Sequence, residues 1–138
     1  MFKIKYNSKI ADKIFNLMKE LFPLNRSLTG NGNAETIKKI KKIITKIRIL
    51  KFKSGSKAFD WTVPKEWNVK DAYILDPQKK KICDFKKNNL HLVGYSQPIK
   101  KTLNLSSLKK YLFSLDKIPD AIPYITSYYD KIWGFCIS

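Results

Sequence analysis

Acidic residues are scarce in this sequence. Eleven Asp and Glu stand against 28 Lys and Arg, a formal net charge of +17 over 138 residues. Arginine is scarcer still, with only Arg26 and Arg48 among those 28 cations. Base reading and bidentate phosphate grips favour the guanidinium fork, whereas lysine gives a diffuse, salt-sensitive attraction. Lysine, the 17 isoleucines and the nine asparagines are all residues of A/T-rich codons, so composition drift accounts for much of the charge. Cysteine is represented only by Cys83 and Cys136, and histidine only by His91. That count excludes a disulfide framework and, with no CxxC, a zinc site built from these residues alone. Five glycines and six prolines exclude collagen-like and low-complexity chains. No apolar run approaches the ~20 residues that cross a bilayer. Met1-Phe2-Lys3-Ile4-Lys5-Tyr6 is too short and too charged for the core of a signal peptide. A cytoplasmic protein that does not engage membranes is the expectation.

What is present is enough for a core. Hydrophobic residues make up 43% and aromatics 13%. A chain of this size buries roughly 68–70% of its unfolded surface when it folds as one complete domain. Residues 8–22 predict a helix, with Ser8 as N-cap, Ile10, Ile14, Leu17, Met18 and Leu21 on one apolar stripe, and Pro23 as the stop. Asn25 to Asn33 is a loop by composition. Asn33 is the expected cap of a second helix that runs to about Lys46, with Ile37, Ile40, Ile43, Ile44 and Ile47 as its buried stripe. Between Thr36 and Ala58 there are nine basic residues and no acid. This stretch reads as the solvated face of that helix, since the helix's apolar side lacks the Trp or Phe of an interfacial one. The glycines before the helix could form an anion site at its N-terminus, but they match neither phosphate-loop pattern.

From residue 47 onward the character turns to β. Ile47 to Phe52 reads as a strand, and Phe59, Trp61 and Val63 alternate as another. Val69–Leu75 and Lys81–Phe85 flank Asp76-Pro77-Gln78-Lys79, which predicts a hairpin on a type I turn. Leu90 to Tyr95 is a further strand. Asn104 is expected to cap a short helix with Leu105, Leu108, Tyr111, Leu112 and Leu115 inward. Residues 125–129 and 133–137 are extended candidates. The order predicts an α+β fold rather than alternating α/β.

No complete catalytic constellation emerges. His91 lies among Leu90, Leu92 and Val93, which suits a strand histidine with a local hydrogen bond. Cys136, within Phe135-Cys136-Ile137, reads as a buried thiol, Cys83 as a strand residue and Met18 as core filler. Asp60, Glu66, Asp71, Asp76, Asp84, Asp116, Asp120 and Asp130 are scattered, with no spacing typical of a metal or glycosidase pair. Nucleophile-elbow and His-Glu-x-x-His patterns are absent.

Three segments are far more specific. They are Leu21-Phe22-Pro23-Leu24-Asn25-Arg26-Ser27-Leu28-Thr29-Gly30-Asn31-Gly32-Asn33; Phe59-Asp60-Trp61-Thr62-Val63-Pro64-Lys65-Glu66-Trp67-Asn68; and Asp120-Ala121-Ile122-Pro123-Tyr124-Ile125-Thr126-Ser127-Tyr128-Tyr129 with Trp133-Gly134-Phe135-Cys136. Leu90 to Ser96 also fits. With these segments the sequence resembles, over essentially its whole length, the N-terminal part of the bacterial aminopeptidase-like family associated with surface-polysaccharide biosynthesis.

The resemblance implies a zinc-exopeptidase-like α/β core interrupted by a β-rich insertion. On that mapping residues 1–55 are the opening helices and first strand of the core, and 56–138 are the insertion with one short helix, incomplete. The Arg26-Ser27-Leu28-Thr29-Gly30 stretch is then a turn that positions the second helix. The family's metal ligands and general-base glutamate lie on later strands, so no residue here takes a catalytic or metal role. Zinc is implied only for the complete protein, and the substrate-binding residues stay unassigned. The apolar close at Phe135-Cys136-Ile137-Ser138 points the same way, to an incomplete unit whose partner is a C-terminal catalytic portion. A different reading of the charge is a basic nucleic-acid or polyanion-binding module.

Overall fold

The computed structural model describes residues 8–27, 29–128 and 130–138. Met1 to Tyr6, Leu28 and Tyr129, all named above, lie outside these. The chain is a mixed fold of helices and very short strands. Helix α1 spans Ser8–Leu21 and α2 spans Asn31–Ile43. Strands β1 (Lys57–Ala58) and β2 (Trp61–Thr62) pair antiparallel, as do β3 (Ile74–Leu75) and β4 (Lys81–Ile82). A 3-10 turn covers Asn89–His91, and α3 covers Leu105–Lys109. Strand β5 (Leu112–Phe113) pairs parallel with β6 (Phe135–Cys136).

Several local expectations hold for the reasons that motivated them. Helix α1 ends before Pro23, and Asn104 Oδ1 caps α3 by accepting from the Ser107 amide at 2.8 Å. The β3–β4 hairpin closes on the Asp76–Lys79 turn, where the Lys79 amide donates to the Asp76 carbonyl at 2.9 Å. The Asp76 side chain accepts from the Lys80 amide at 2.8 Å and fixes the register of Ile74 against Ile82.

Helix α1 is described from Ser8 onward. Other expectations are corrected. Helix α2 starts at Asn31 with Gly30 as N-cap, two residues before the Asn33 expected in that role, and stops at Ile43 rather than Lys46. Asn33 instead turns its amide back to donate to the Ser27 carbonyl at 2.6 Å, so it ties the loop to the helix from inside the first turn. Segment 47–52 forms no ladder. Alternating β-branched residues make a strand only where a partner supplies hydrogen bonds, and the described residues offer none. Phe59 is a turn residue: it sits at the tip of the β1–β2 hairpin with φ 56° and its ring wholly in solvent. Two-residue hairpin turns need positive φ to match the twist of their strands, and that requirement overrides alternation. The strand expected at Leu90–Tyr95 begins instead as the 3-10 turn and continues as two single bridges, Leu92 with Phe135 and Gly94 with Thr126. Leu105 and Leu115 are exposed rather than inward.

The core is small and sits at the C-terminal end. Strand β6 is gripped on both edges: the Phe135 amide donates to the Tyr111 carbonyl at 2.8 Å, and the Val93 amide donates to the Gly134 carbonyl at 3.1 Å. Val93 and Cys136 are completely buried, and Phe135 nearly so. Gly134 makes the close packing possible, since a Cβ there would lie 2.6 Å from the Phe113 ring. Trp133 stacks on Tyr111 with centroids 3.9 Å apart.

The helices contribute little to this core. Only Leu21 of the α1 stripe is buried, while Ile10, Ile14 and Met18 are each more than half exposed. On α2, Ile37 and Ile43 are exposed and no residue is buried. An exposed Lys39–Glu20 pair at 3.0 Å links the two helices, a contact of the kind that contributes at most ~1 kcal/mol. Both helices are strongly amphipathic, yet much of each apolar face stays exposed.

Candidate functional site

The three distinctive segments meet in space. Thr29, in the loop between α1 and α2, donates its hydroxyl to the Lys65 carbonyl at 2.9 Å and lies 3.2 Å from the Tyr95 hydroxyl. The Asn31 amide donates to Asn68 Oδ1 at 2.7 Å. Trp67 donates its indole N–H to the Ser96 carbonyl at 3.1 Å. Its ring stacks on Tyr95 at 5.5 Å, and Tyr95 stacks on Tyr128 at 5.9 Å. Trp67, Tyr95 and Tyr128 therefore form a three-ring ladder that joins the second segment to the third, with the first hydrogen-bonded along its flank. Tyr95 and Tyr128 adopt positive φ, 63° and 54°, an unfavourable conformation for bulky residues that the surrounding contacts hold in place.

Beside this junction lies a cleft of about 770 Å³. Its walls include Arg26, Trp67, Lys86, Lys87, Tyr95 and Tyr124. Among the described residues three cations and no carboxylate line it. Asn89 spans it by donating to the Pro23 carbonyl at 3.2 Å. In the glycine-containing loop the Asn31 amide at the start of α2 is already satisfied by Asn68 Oδ1.

The titratable residues singled out from the sequence do not gather here. His91 uses Nδ1 to donate to the Cys136 carbonyl at 2.9 Å, a contact across 45 residues rather than the local bond expected. Asp71 lies between Lys86 at 3.2 Å and Lys81 at 3.6 Å. Desolvation pushes its carboxyl up, but the Lys86 hydrogen bond and the charges of Lys81 and Lys86 outweigh it, and the carboxyl falls below the usual range. Among the described residues no group of three or more His, Cys, Asp or Glu is placed to hold a metal ion. Met18, expected as core filler, is exposed.

Desolvation pushes the thiols of Cys83 and Cys136 above their ordinary range. On Cys136 a hydrogen bond from the Ile125 amide opposes this and the neighbouring Cys83 adds to it. Because only the thiolate attacks, neither is set up as a nucleophile. With Ellman's reagent at pH 8, Cys136 should stay unmodified until the chain is unfolded, and Cys83 should react more slowly than free cysteine. Two thiols titrating at the free-cysteine rate in buffer would contradict this.

The cleft and ring ladder were not legible as a site in the sequence. Their one signal was that three unusual segments, far apart in the chain, carried the family resemblance together. Comparison with known proteins bears on the same segments. The profile of a domain of unknown function, DUF2172, matches residues 66–138. The chain is 50% identical over 135 residues to a Clostridium acetobutylicum protein described as "Putative polysaccharide biosynthesis protein with aminopeptidase-like domain". It is also similar to the crystal structure of a "putative peptidase" from Clostridium acetobutylicum, with a TM-score of 0.91, 50% identity and 95% of this chain covered. The chain spans 31% of the length of that curated relative, and 31% of the crystallised chain.

Proposed function

The chain belongs to the DUF2172 family, and from that premise we propose that it is the N-terminal portion of an aminopeptidase-like protein, a scaffold inactive by itself. Residues 1–55 open the α/β core in this reading, and 56–138 belong to the inserted unit. One observation carries it: α1 and α2 present amphipathic faces that the described residues leave largely uncovered. Bare apolar faces of this kind mark surfaces built to be buried. The remaining two-thirds of a protein like the clostridial relative is the natural cover. Segment 47–52, with exposed Leu50 and Phe52, supplies a core strand once neighbouring strands are present.

Zinc, which the aminopeptidase likeness implies, does not fit the donors of this chain. His91 is the single histidine, and Cys136 is sealed in the core. An open catalytic zinc site needs three converging ligands, and the described residues bring no such set together. No reaction step is therefore assigned to them.

Co-expression with the rest of the clostridial relative tests the proposal. The expected result is a one-to-one complex that loses the binding of a hydrophobic dye seen with the chain alone. The chain alone should bind no stoichiometric zinc and release no amino acid from aminoacyl p-nitroanilides. Metal-dependent hydrolysis by these 138 residues, or no association with the remainder, would sink it.

A further inference from the structure

We propose that the cleft between the α1–α2 loop and the ring ladder binds a small carboxylate-bearing ligand, with Arg26 taking the carboxylate and the Trp67–Tyr95 wall taking the body of the molecule. The volume, about 770 Å³, lies in the range of small-molecule sites. The lining supplies the polarity. Arg26, Lys86 and Lys87 face the cleft with no acid among the lining residues. Lys86 is drawn to Asp71 at 3.2 Å, whereas Arg26 makes no ion pair among the described residues. It is one of two arginines in a chain that otherwise uses lysine for positive charge. A guanidinium offers two parallel donors that match a carboxylate edge, which a lysine ammonium does not.

The alternative anion, phosphate, commonly takes backbone amides at a helix start. Here the Asn31 amide of α2 is already closed by Asn68, so one backbone donor of that kind is taken. The aromatic walls are suited to a flat or weakly polar body, and Tyr124 stands 76% exposed at the cleft. The cleft is also preformed. Asn89 to Pro23, Thr29 to Lys65 and Trp67 to Ser96 tie its sides together without a ligand. Its lining carries three cations and four asparagines beside its apolar side chains, whereas the exposed faces of α1 and α2 are apolar. The two surfaces have different chemistry, and this inference stands on the cleft alone.

The carboxylate could be carried by a peptide or by a sugar acid, and the titration separates the two. N-acetyl-phenylalanine, glucuronate and glucose 1-phosphate are titrated by calorimetry and tryptophan fluorescence, beside uncharged N-acetyl-phenylalaninamide and glucose. The measurements use the chain and a chimera in which it replaces the matching part of the clostridial relative. At least one carboxylate should bind ten-fold or more tightly than its uncharged counterpart, and more tightly than the phosphate. Arg26→Gln should weaken it at least ten-fold, while Arg48→Gln, outside the cleft, leaves it unchanged. Equal binding of charged and uncharged forms, equal loss in both variants, preference for the phosphate, or no binding in the folded chimera would each overturn it. The readout needs neither metal nor hydrolysis. Failure to associate with the remainder, with carboxylate binding intact, would therefore overturn only the scaffold reading.

Discussion

Phe135→Ala is expected to destabilise the chain by about 3–5 kcal/mol, the usual cost of emptying an aromatic site in a core. Phe135 sits at the point where the fold is held from both sides. Its strand pairs parallel with Leu112–Phe113 and bridges antiparallel to Leu92, and its neighbours Val93 and Cys136 have no solvent exposure. With so few apolar residues buried, no other part of the core can collapse into the space. Marginal stability of small domains means such a loss approaches complete unfolding. Urea denaturation followed by tryptophan fluorescence measures it, with Phe135→Leu as the milder comparison at about 1 kcal/mol. A loss below about 1 kcal/mol for the alanine variant would mean that the hub is not where the structure places it.

Gly30→Ala should cost about 3 kcal/mol, from two sources that act together. Gly30 has φ 127°, a conformation that side chains rarely adopt. An added Cβ would also lie 2.6 Å from the Trp67 carbonyl oxygen and 2.9 Å from Asn68 Oδ1. The backbone carbonyl cannot rotate away as a side chain can. The loop must therefore part from residues 65–68, and the Thr29–Lys65 and Asn31–Asn68 hydrogen bonds go with it. Gly55→Ala is the comparison: its φ is 87°, but no atom lies within 4 Å of a new Cβ. It should show only backbone strain, about 1 kcal/mol. Equal effects at the two glycines in thermal unfolding would refute the close approach at Trp67.

Local signals were read well where the deciding interaction is itself local. The Pro23 stop, the Asn104 cap and the Asp76–Lys79 turn each depend on atoms within a few residues. Expectations failed where a distant partner decides. Phe52 and Leu50 have strand-forming neighbours in sequence but no strand beside them. Asn33 looked like a cap, yet the approach of Trp67 to Gly30 and of the Asn25 carbonyl to Gly32 fixes the helix start earlier. Phe59 followed the alternation of Trp61 and Val63, yet the hairpin needed its turn there.

The opening scarcity of acid and arginine takes on a different meaning in three dimensions. Most of the +17 is dispersed lysine. One of the two arginines stands in a cleft that no carboxylate lines. The sequence alone determined that this is a chain of helices and short strands, and its three distinctive segments determined its family. It did so because helix periodicity, turn chemistry and residue type are properties of neighbouring atoms. Only the tertiary structure decided that those segments converge on one aromatic ladder beside one cationic cleft, and that the predicted core faces of α1 and α2 stay largely exposed among the described residues. Convergence and burial depend on which surfaces the rest of the chain supplies, and no local pattern encodes that.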